Sequence, residues 1–152
     1  MPSDWLRQKR RWMARDRRSP NPARPDLRRP LGEWLSPLPW DWFVTLTFAA
    51  AVHPEQADKR FQSWVRDLRK RERRGVRWVR TLESQERQVL HIHALFWFGG
   101  REEARRLIVM HRWEEIGQGY ARIFPYNPQR GAAYYLGKDI TNGGEIDLGG
   151  LW

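Results

Sequence analysis

The sequence contains no cysteine, and this absence excludes several kinds of chemistry. A chain without thiols forms no disulfide, holds no cysteine-ligated zinc and offers no thiol nucleophile. The lack of cysteine also fits a reducing compartment, so a cytoplasmic location is expected. No apolar run approaches the roughly twenty residues of a membrane-spanning helix, and the first residues lack the apolar core of a signal peptide. We therefore expect no membrane partner.

Acidic residues are few relative to basic ones. The chain has 28 Lys and Arg against 18 Asp and Glu, for a net charge of +10. Residues 1–30 alone hold ten Arg and Lys against three Asp, which is +7 of that total. This imbalance favours a polyanionic partner, most commonly nucleic acid, although a basic tail that only keeps the protein in solution is the alternative. The candidate phosphate contacts are Arg7, Lys9, Arg10, Arg11 and, further along the chain, Arg130.

The 152 residues suffice for one compact domain, and their character changes near residue 40. Residues 1–40 are rich in basic residues, proline and tryptophan, and we interpret them as an N-terminal extension. Residues 1–18 fit a basic helix, whereas six prolines between positions 20 and 39 interrupt regular structure. The extension is expected to order on binding or by packing its tryptophans on the core. Residues 41–152 are interpreted as the functional domain. Ten tryptophans in all suit both a core and stacking on unpaired bases.

From residue 42 the pattern predicts the order β-α-β-β-α-β-α. Strands are expected over 43–48, 77–85, 89–98 and 120–124, and helices over 54–74, 101–116 and 132–140. The first of these helices carries a single apolar stripe at helical spacing, made of Phe61, Trp64, Val65 and Leu68. The predicted fold is α+β: an antiparallel sheet of about four or five strands, ferredoxin- or RRM-like, with helices packed on it. We expect those helices on one face of the sheet.

Two histidines separated by one residue are the first candidate for chemistry. His91 and His93 lie on one face of a strand, about 7 Å apart, and can converge on one cation. If the preceding turn centres on Arg87, Glu83 lies directly across from His91. Two imidazoles and a carboxylate suit Mg²⁺ or Mn²⁺. The alternative is a half-buried strand whose histidines only form hydrogen bonds. A His-x-His pair by itself favours this alternative, whereas the expected position of Glu83 across from His91 favours a metal site.

The last predicted helix supplies a candidate nucleophile. Tyr135 and Lys138 are neighbours at i, i+3, and Tyr134 and Lys138 at i, i+4. A phenol with its ordinary pKa near 10 is a poor nucleophile, but a nearby ammonium and a metal-polarised phosphate both favour attack by the phenolate. Adjacent helical residues diverge by about 100°, so only one of the two tyrosines can face the metal.

Three blocks of sequence, taken in order, resemble the HUH endonucleases, and most of all the rolling-circle replication initiators (Rep proteins) of plasmids and phages. They are Phe43-Val44-Thr45-Leu46-Thr47-Phe48, then Glu83 with His91-Ile92-His93, then Tyr135-Leu136-Gly137-Lys138 as a Tyr-x-x-Lys motif. The resemblance spans roughly residues 42–140 and leaves the first forty unexplained.

This resemblance implies an HUH fold and a nicking reaction on single-stranded DNA. His91, His93 and Glu83 are implied to hold one divalent ion, and Tyr135 to attack the scissile phosphate. The products implied are a 5′-phosphotyrosine and a free 3′-OH, with Lys138 steadying the developing charge. The implied substrate is a single-stranded replication origin, which can form a hairpin. The resemblance also implies a host helicase and a host polymerase as possible partners.

The sequence departs from some members of this group. Asp139 stands in the region where certain members carry a second catalytic tyrosine, so a single-tyrosine mechanism is expected. No Gly-rich Lys-Ser/Thr loop of a helicase is present. Two alternatives stay open. One is a single-strand transposase of the same chemistry. The other is a non-catalytic nucleic-acid-binding module, with a ferredoxin-like sheet that exposes aromatics.

Overall fold

The computed structural model describes residues 26, 28–72, 75–84, 90–99, 106–141 and 145–150. Within these ranges, the side chains at positions 84, 135, 138, 140, 141 and 145 are outside the description. The elements are α1 (Arg28–Leu35), β1 (Trp42–Thr47), α2 (Pro54–Glu72), β2 (Arg77–Ser84), β3 (Leu90–Trp97), α3 (Arg106–Ile116), β4 (Ala121–Pro125), a 3₁₀ helix (Pro128–Arg130), α4 (Ala132–Thr141) and β5 (Glu145–Gly149). The predicted helix over 1–18 and the candidate DNA contacts Arg7, Lys9, Arg10 and Arg11 lie outside the described residues.

The five strands form one antiparallel sheet in the order β4-β1-β3-β2-β5. This confirms the predicted α+β class, and the described residues contain each element predicted from residue 42 onward. The strand β5 was not predicted; it pairs with β2 and forms one edge of the sheet. Among the described helices, none is long and apolar enough to cross a bilayer.

The larger core lies between one face of the sheet and the helices α2 and α3. The predicted apolar stripe of α2 is buried there, with Phe61 and Trp64 both 0% exposed. The Trp64 indole donates to the Val109 carbonyl of α3 at 2.9 Å, and the Trp113 indole donates to the Thr47 carbonyl of β1 at 3.0 Å. These tryptophans therefore serve packing, because each buried indole N–H has a backbone acceptor.

Helices α1 and α4 cover the opposite face, so the expectation that the helices share one face is wrong. Val79 of β2 and Leu95 of β3 are buried on this second face, under Leu35 and Leu136. The physical reason is the composition of β3, whose apolar residues occupy both alternating sets of positions. A strand buried on both sides needs a packing layer on each face of the sheet.

Helix α1 lies within the segment interpreted as an extension. It packs along α4, and it comes so close that a Cβ placed on Gly32 would be 2.3 Å from the ring of Tyr134. Trp40 is buried next to α1 and donates its indole N–H to the Leu35 carbonyl at 2.8 Å. Residues 28–40 thus pack on the core through Leu35 and Trp40, whereas Trp34 is 47% exposed. The expectation that the prolines interrupt regular structure is wrong at Pro30, which lies in the first turn of α1, where proline is tolerated. The division of the chain at residue 40 stays a prediction.

Candidate functional site

The β2–β3 hairpin has the predicted register. Glu83 pairs with His91, and Thr81 pairs with His93. Because these four residues alternate along their strands, they share the sheet face that α4 covers. His93 is buried and His91 is half-buried, and their ring centroids lie 6.4 Å apart.

Asp139 of α4 joins this cluster from above the sheet. Its carboxylate is buried, accepts a hydrogen bond from the Thr81 hydroxyl at 2.6 Å and lies 2.8 Å from His93 Nδ1. In the tautomer with the proton on Nδ1, the imidazole donates to this carboxylate and Nε2 keeps its lone pair for a ligand. Glu83 approaches the same Nδ1 at 3.5 Å.

The two tyrosines of α4 occupy different positions relative to the cluster. Tyr134 packs its ring on Gly32 of α1 and is 41% exposed. The backbone at positions 135 and 138 is helical, whereas the side chains of Tyr135 and Lys138 are outside the description. Position 135 precedes Asp139 by four residues, and residues at that spacing share one face of a helix.

A cleft adjoins His93, and Asp139 is not among its lining residues. It encloses about 330 Å³. Its lining residues come from β1, β3, β4, the turn that leads into α4 and the first residue of α4. They are Phe43, Thr45, His93, Phe124, Pro125, Asn127, Arg130 and Ala132. Phe43 lies nearly parallel to the His93 ring at a centroid distance of 6.3 Å. Of the predicted DNA contacts, Arg130 is the one within the described residues; it is exposed and borders this cleft.

Tyr126 stands close to the cleft but has a structural contact. Its hydroxyl donates to the Ser36 carbonyl at 3.1 Å, which ties the segment after β4 to the end of α1. Burial, with a smaller contribution from Tyr134, raises the pKa of Tyr126 above its ordinary value. The phenol therefore stays protonated and keeps donating near neutral pH.

Residues 41–142 match the family model described as replication-associated protein ORF2/G2P, which covers about two thirds of the chain. The chain belongs to this family. Membership in the ORF2/G2P family associates the protein with replication and is consistent with a rolling-circle initiator. No curated protein and no solved structure matches the chain.

In this ORF2/G2P family member, three side chains form a group that fits a metal ion. One ligand atom from each of Glu83, His93 and Asp139 lies within 4.8 Å of the others. An imidazole nitrogen and two carboxylate oxygens suit Mg²⁺ or Mn²⁺. His91 is not a member of this group within the described part of the chain.

The structure therefore brings together two of the three predicted metal ligands and adds a residue that sequence reasoning missed. Asp139 was noted in the sequence only as the residue at the place of a second tyrosine. A signal was present: Asp139 continues the buried stripe of α4 formed by Ala132 and Leu136. A carboxylate on an apolar stripe needs a polar partner, and that requirement marks it as a member of a site.

Proposed function

We propose that this protein nicks and rejoins single-stranded DNA through a 5′-phosphotyrosine and thereby initiates rolling-circle replication of a plasmid or phage. The observation that carries the proposal is the contact between Asp139 and His93 at 2.8 Å. Through it, the helix that bears Tyr135 and Lys138 is joined directly to the strand that bears both histidines. This contact supports the proposal, because phosphoryl transfer needs its nucleophile and its metal ion in a fixed relation to each other.

The proposed metal ligands are His91, His93 and Glu83, with Asp139 holding His93 in place through Nδ1. The neighbour of a metal-ligating histidine commonly fixes its tautomer and orientation in this way. Bound Mg²⁺ or Mn²⁺ supplies Lewis-acid polarisation of a phosphoryl oxygen. The half-buried state of His91 and the exposed part of Glu83, whose side chain is 24% accessible, leave this side of the cluster open to a substrate.

The proposed nucleophile is Tyr135, one helical turn before Asp139. Tyr134 is less suited, because its ring is packed on Gly32 of α1. The phenolic oxygen of Tyr135 bonds to the scissile phosphorus, and the bond from phosphorus to the 3′ oxygen breaks. The phenol loses its proton and the departing 3′ oxygen gains one. Lys138 favours the phenolate and the charge that develops on the phosphoryl group. Attack by a 3′-OH on the phosphotyrosine reverses these bond changes and reseals the strand.

Replication is favoured over transposition because the chain belongs to a replication-associated family. The proposed substrate is a single-stranded origin, and a host helicase and polymerase would extend the 3′-OH that nicking releases. A non-catalytic binding module is less well supported. It accounts for Phe43 and Phe124 on the sheet face, but it needs no buried chain of Thr81, Asp139 and His93.

The proposed chemistry is tested by trapping its covalent product. Purified protein is incubated with Mn²⁺ and 5′- or 3′-labelled single-stranded oligonucleotides that tile both strands of the replicon encoding it. We expect a denaturation-resistant adduct with the 3′-labelled fragment, because the protein retains the 5′ phosphate. An adduct on the 5′-labelled fragment, or none on any tile, contradicts the proposal.

The metal-binding role of the histidines has its own expected result. The double variant His91→Ala/His93→Ala should lose at least about a hundredfold in nicking rate, since metal polarisation of phosphate contributes several kcal/mol. His111→Ala is the matched control, because His111 is exposed on α3 at the opposite face of the sheet. Nicking rates are measured with Mn²⁺ on a labelled oligonucleotide. If the double variant nicks at the same rate as the control, the proposed metal-binding role of His91 and His93 is wrong.

The basic N-terminal segment is expected to contact phosphate. Deleting residues 1–25 leaves α1 intact and removes eight Arg and Lys and two Asp, a net change of six positive charges. Affinity for single-stranded DNA should fall, and the slope of log K against log salt should flatten by about 0.7 for each phosphate that the segment neutralises. A full-length variant with Gln at positions 7, 9, 10 and 11 controls for chain length. A deletion variant with an unchanged slope shows that the segment does not touch phosphate.

A further inference from the structure

The cleft beside His93 has no part in the bond-making steps described above, yet it adjoins the residues that carry them. Thr45 and Thr81 are both paired with His93, from the strands on its two sides. Asp139 and Glu83 lie on the Thr81 side, whereas the cleft opens on the Thr45 side. A phosphate held at the metal cluster would therefore have its neighbouring nucleotide above β1 and β4.

The lining of the cleft combines aromatic rings with a cation. Phe43 is half-buried, and Phe124 is 49% exposed although it lies on a strand. The polar lining residues are Thr45, His93, Asn127 and Arg130, and the described lining includes neither Asp nor Glu. Aromatic rings next to a cation, without competing negative charge, are the features on which unpaired bases and their phosphates bind.

The backbone around Arg130 is held in place locally. The Asn127 side chain accepts from the backbone N–H of Gln129 at 3.0 Å, which caps the 3₁₀ helix that ends at Arg130. Gly131 then adopts φ +70°, a left-handed conformation that favours glycine, and α4 begins at the next residue. Arg130 is thus presented at the cleft by a turn whose geometry is set before DNA arrives.

The size of the cleft limits the ligand. A volume of about 330 Å³ lies near the lower end of the roughly 300–1,000 Å³ found for small-ligand sites. That volume suits one nucleotide and not a duplex. In a duplex, moreover, both faces of each base are already covered by stacking, so a ring such as Phe124 can reach only an unpaired base.

We propose that this cleft binds the nucleotide next to the cleaved phosphate, with its base on Phe124 and Phe43 and its phosphate on Arg130. The proposal rests on the proposed nicking function, because it names how the same site holds its single-stranded substrate. The protein would then recognise an unpaired base at one defined position of the origin, next to the cleaved phosphate.

The contact with a base is tested by binding in EDTA, so that neither metal nor cleavage contributes. The probes are an oligothymidylate of about 20 nucleotides and an abasic strand of the same length, which keeps the phosphates and lacks the bases. Phe124→Ala should weaken oligothymidylate binding about tenfold and change binding of the abasic strand by less than about twofold. Phe124→Trp should restore the affinity, since the stacking ring is kept.

Ile108→Ala is the matched control for this variant. Ile108 is 47% exposed, about as much as Phe124, and it lies on α3 at the opposite face of the sheet. Melting temperatures of all variants verify folding. The base contact is refuted if Phe124→Ala and Ile108→Ala bind oligothymidylate alike, or if Phe124→Ala weakens both probes equally.

The phosphate contact is tested through salt dependence. Arg130→Ala should lower the magnitude of the slope of log K against log salt by about 0.7 on both probes, and Arg130→Lys should keep it. Arg66→Ala, an exposed arginine of α2 on the other face, is the control. An Arg130→Ala slope equal to that of Arg66→Ala overturns the assignment. These binding results stand apart from adduct formation, so failure of the chemistry and failure of the cleft are separately visible.

Discussion

Replacing Tyr135 with phenylalanine is expected to abolish the covalent protein–DNA adduct while leaving affinity for single-stranded DNA within about twofold. The substitution removes the oxygen of the proposed nucleophile and keeps the ring. Tyr134→Phe is the matched control on the adjacent residue. Its ring stays against Gly32 of α1, and the adduct should form at close to the rate of the unmodified protein.

This pair of variants is compared by denaturing gel electrophoresis with Mn²⁺ and a labelled origin strand, followed by mass spectrometry of the modified peptide. The expected peptide carries its nucleotide on position 135. An adduct that survives Tyr135→Phe contradicts the nucleophile assignment. Loss with Tyr134→Phe alone transfers the role to Tyr134 and would require its ring to leave α1.

Asp139→Asn is expected to weaken Mn²⁺ binding by about 10- to 100-fold. The carboxylate accepts from Thr81 and lies 2.8 Å from His93 Nδ1, and an amide of the same size lacks the charge that favours the Nδ1–H tautomer. The effect is measured as Mn²⁺-dependent thermal stabilisation and by calorimetric titration. At a Mn²⁺ concentration about 100 times the dissociation constant, the unmodified protein should gain about 2.7 kcal/mol of stability. A 100-fold weaker variant should gain about 0.4 kcal/mol.

The matched control for Asp139 is Asp147→Asn on β5. Asp147 is an exposed carboxylate that faces Arg80 on the other side of the sheet, so its loss should leave Mn²⁺ stabilisation unchanged. Melting temperatures without metal distinguish a purely structural effect from a loss of metal binding. A purely structural effect would lower the metal-free melting temperature but would leave the increase caused by Mn²⁺ unchanged. An Asp139→Asn variant that binds Mn²⁺ as tightly as Asp147→Asn does would show that Asp139 neither orients His93 nor binds the ion.

The sequence by itself determined the local structure and half of the candidate site. The α2 stripe of Phe61 and Trp64 is buried as its helical spacing predicted. Glu83 pairs with His91, as the position predicted for the turn between their strands implied. Both predictions concern residues close in the chain, where side-chain period and turn position set the geometry.

Only the tertiary structure decided which distant residues meet. His93 and Asp139 are 46 positions apart, and the alternation of β3 says nothing of the helix that will lie over it. The packing of α1 and α4 on the sheet also decides three other features. They are the burial of β3 on both faces, the contact of Tyr134 with α1, and the cleft lined by Phe43 and Phe124. Periodicity identifies the buried face of an element, but the partner of that face is chosen by the assembled core. The histidine pair could thus be identified from the sequence. The contact of His93 with Asp139 depends on the packing of α4 on the sheet, which the sequence pattern does not specify.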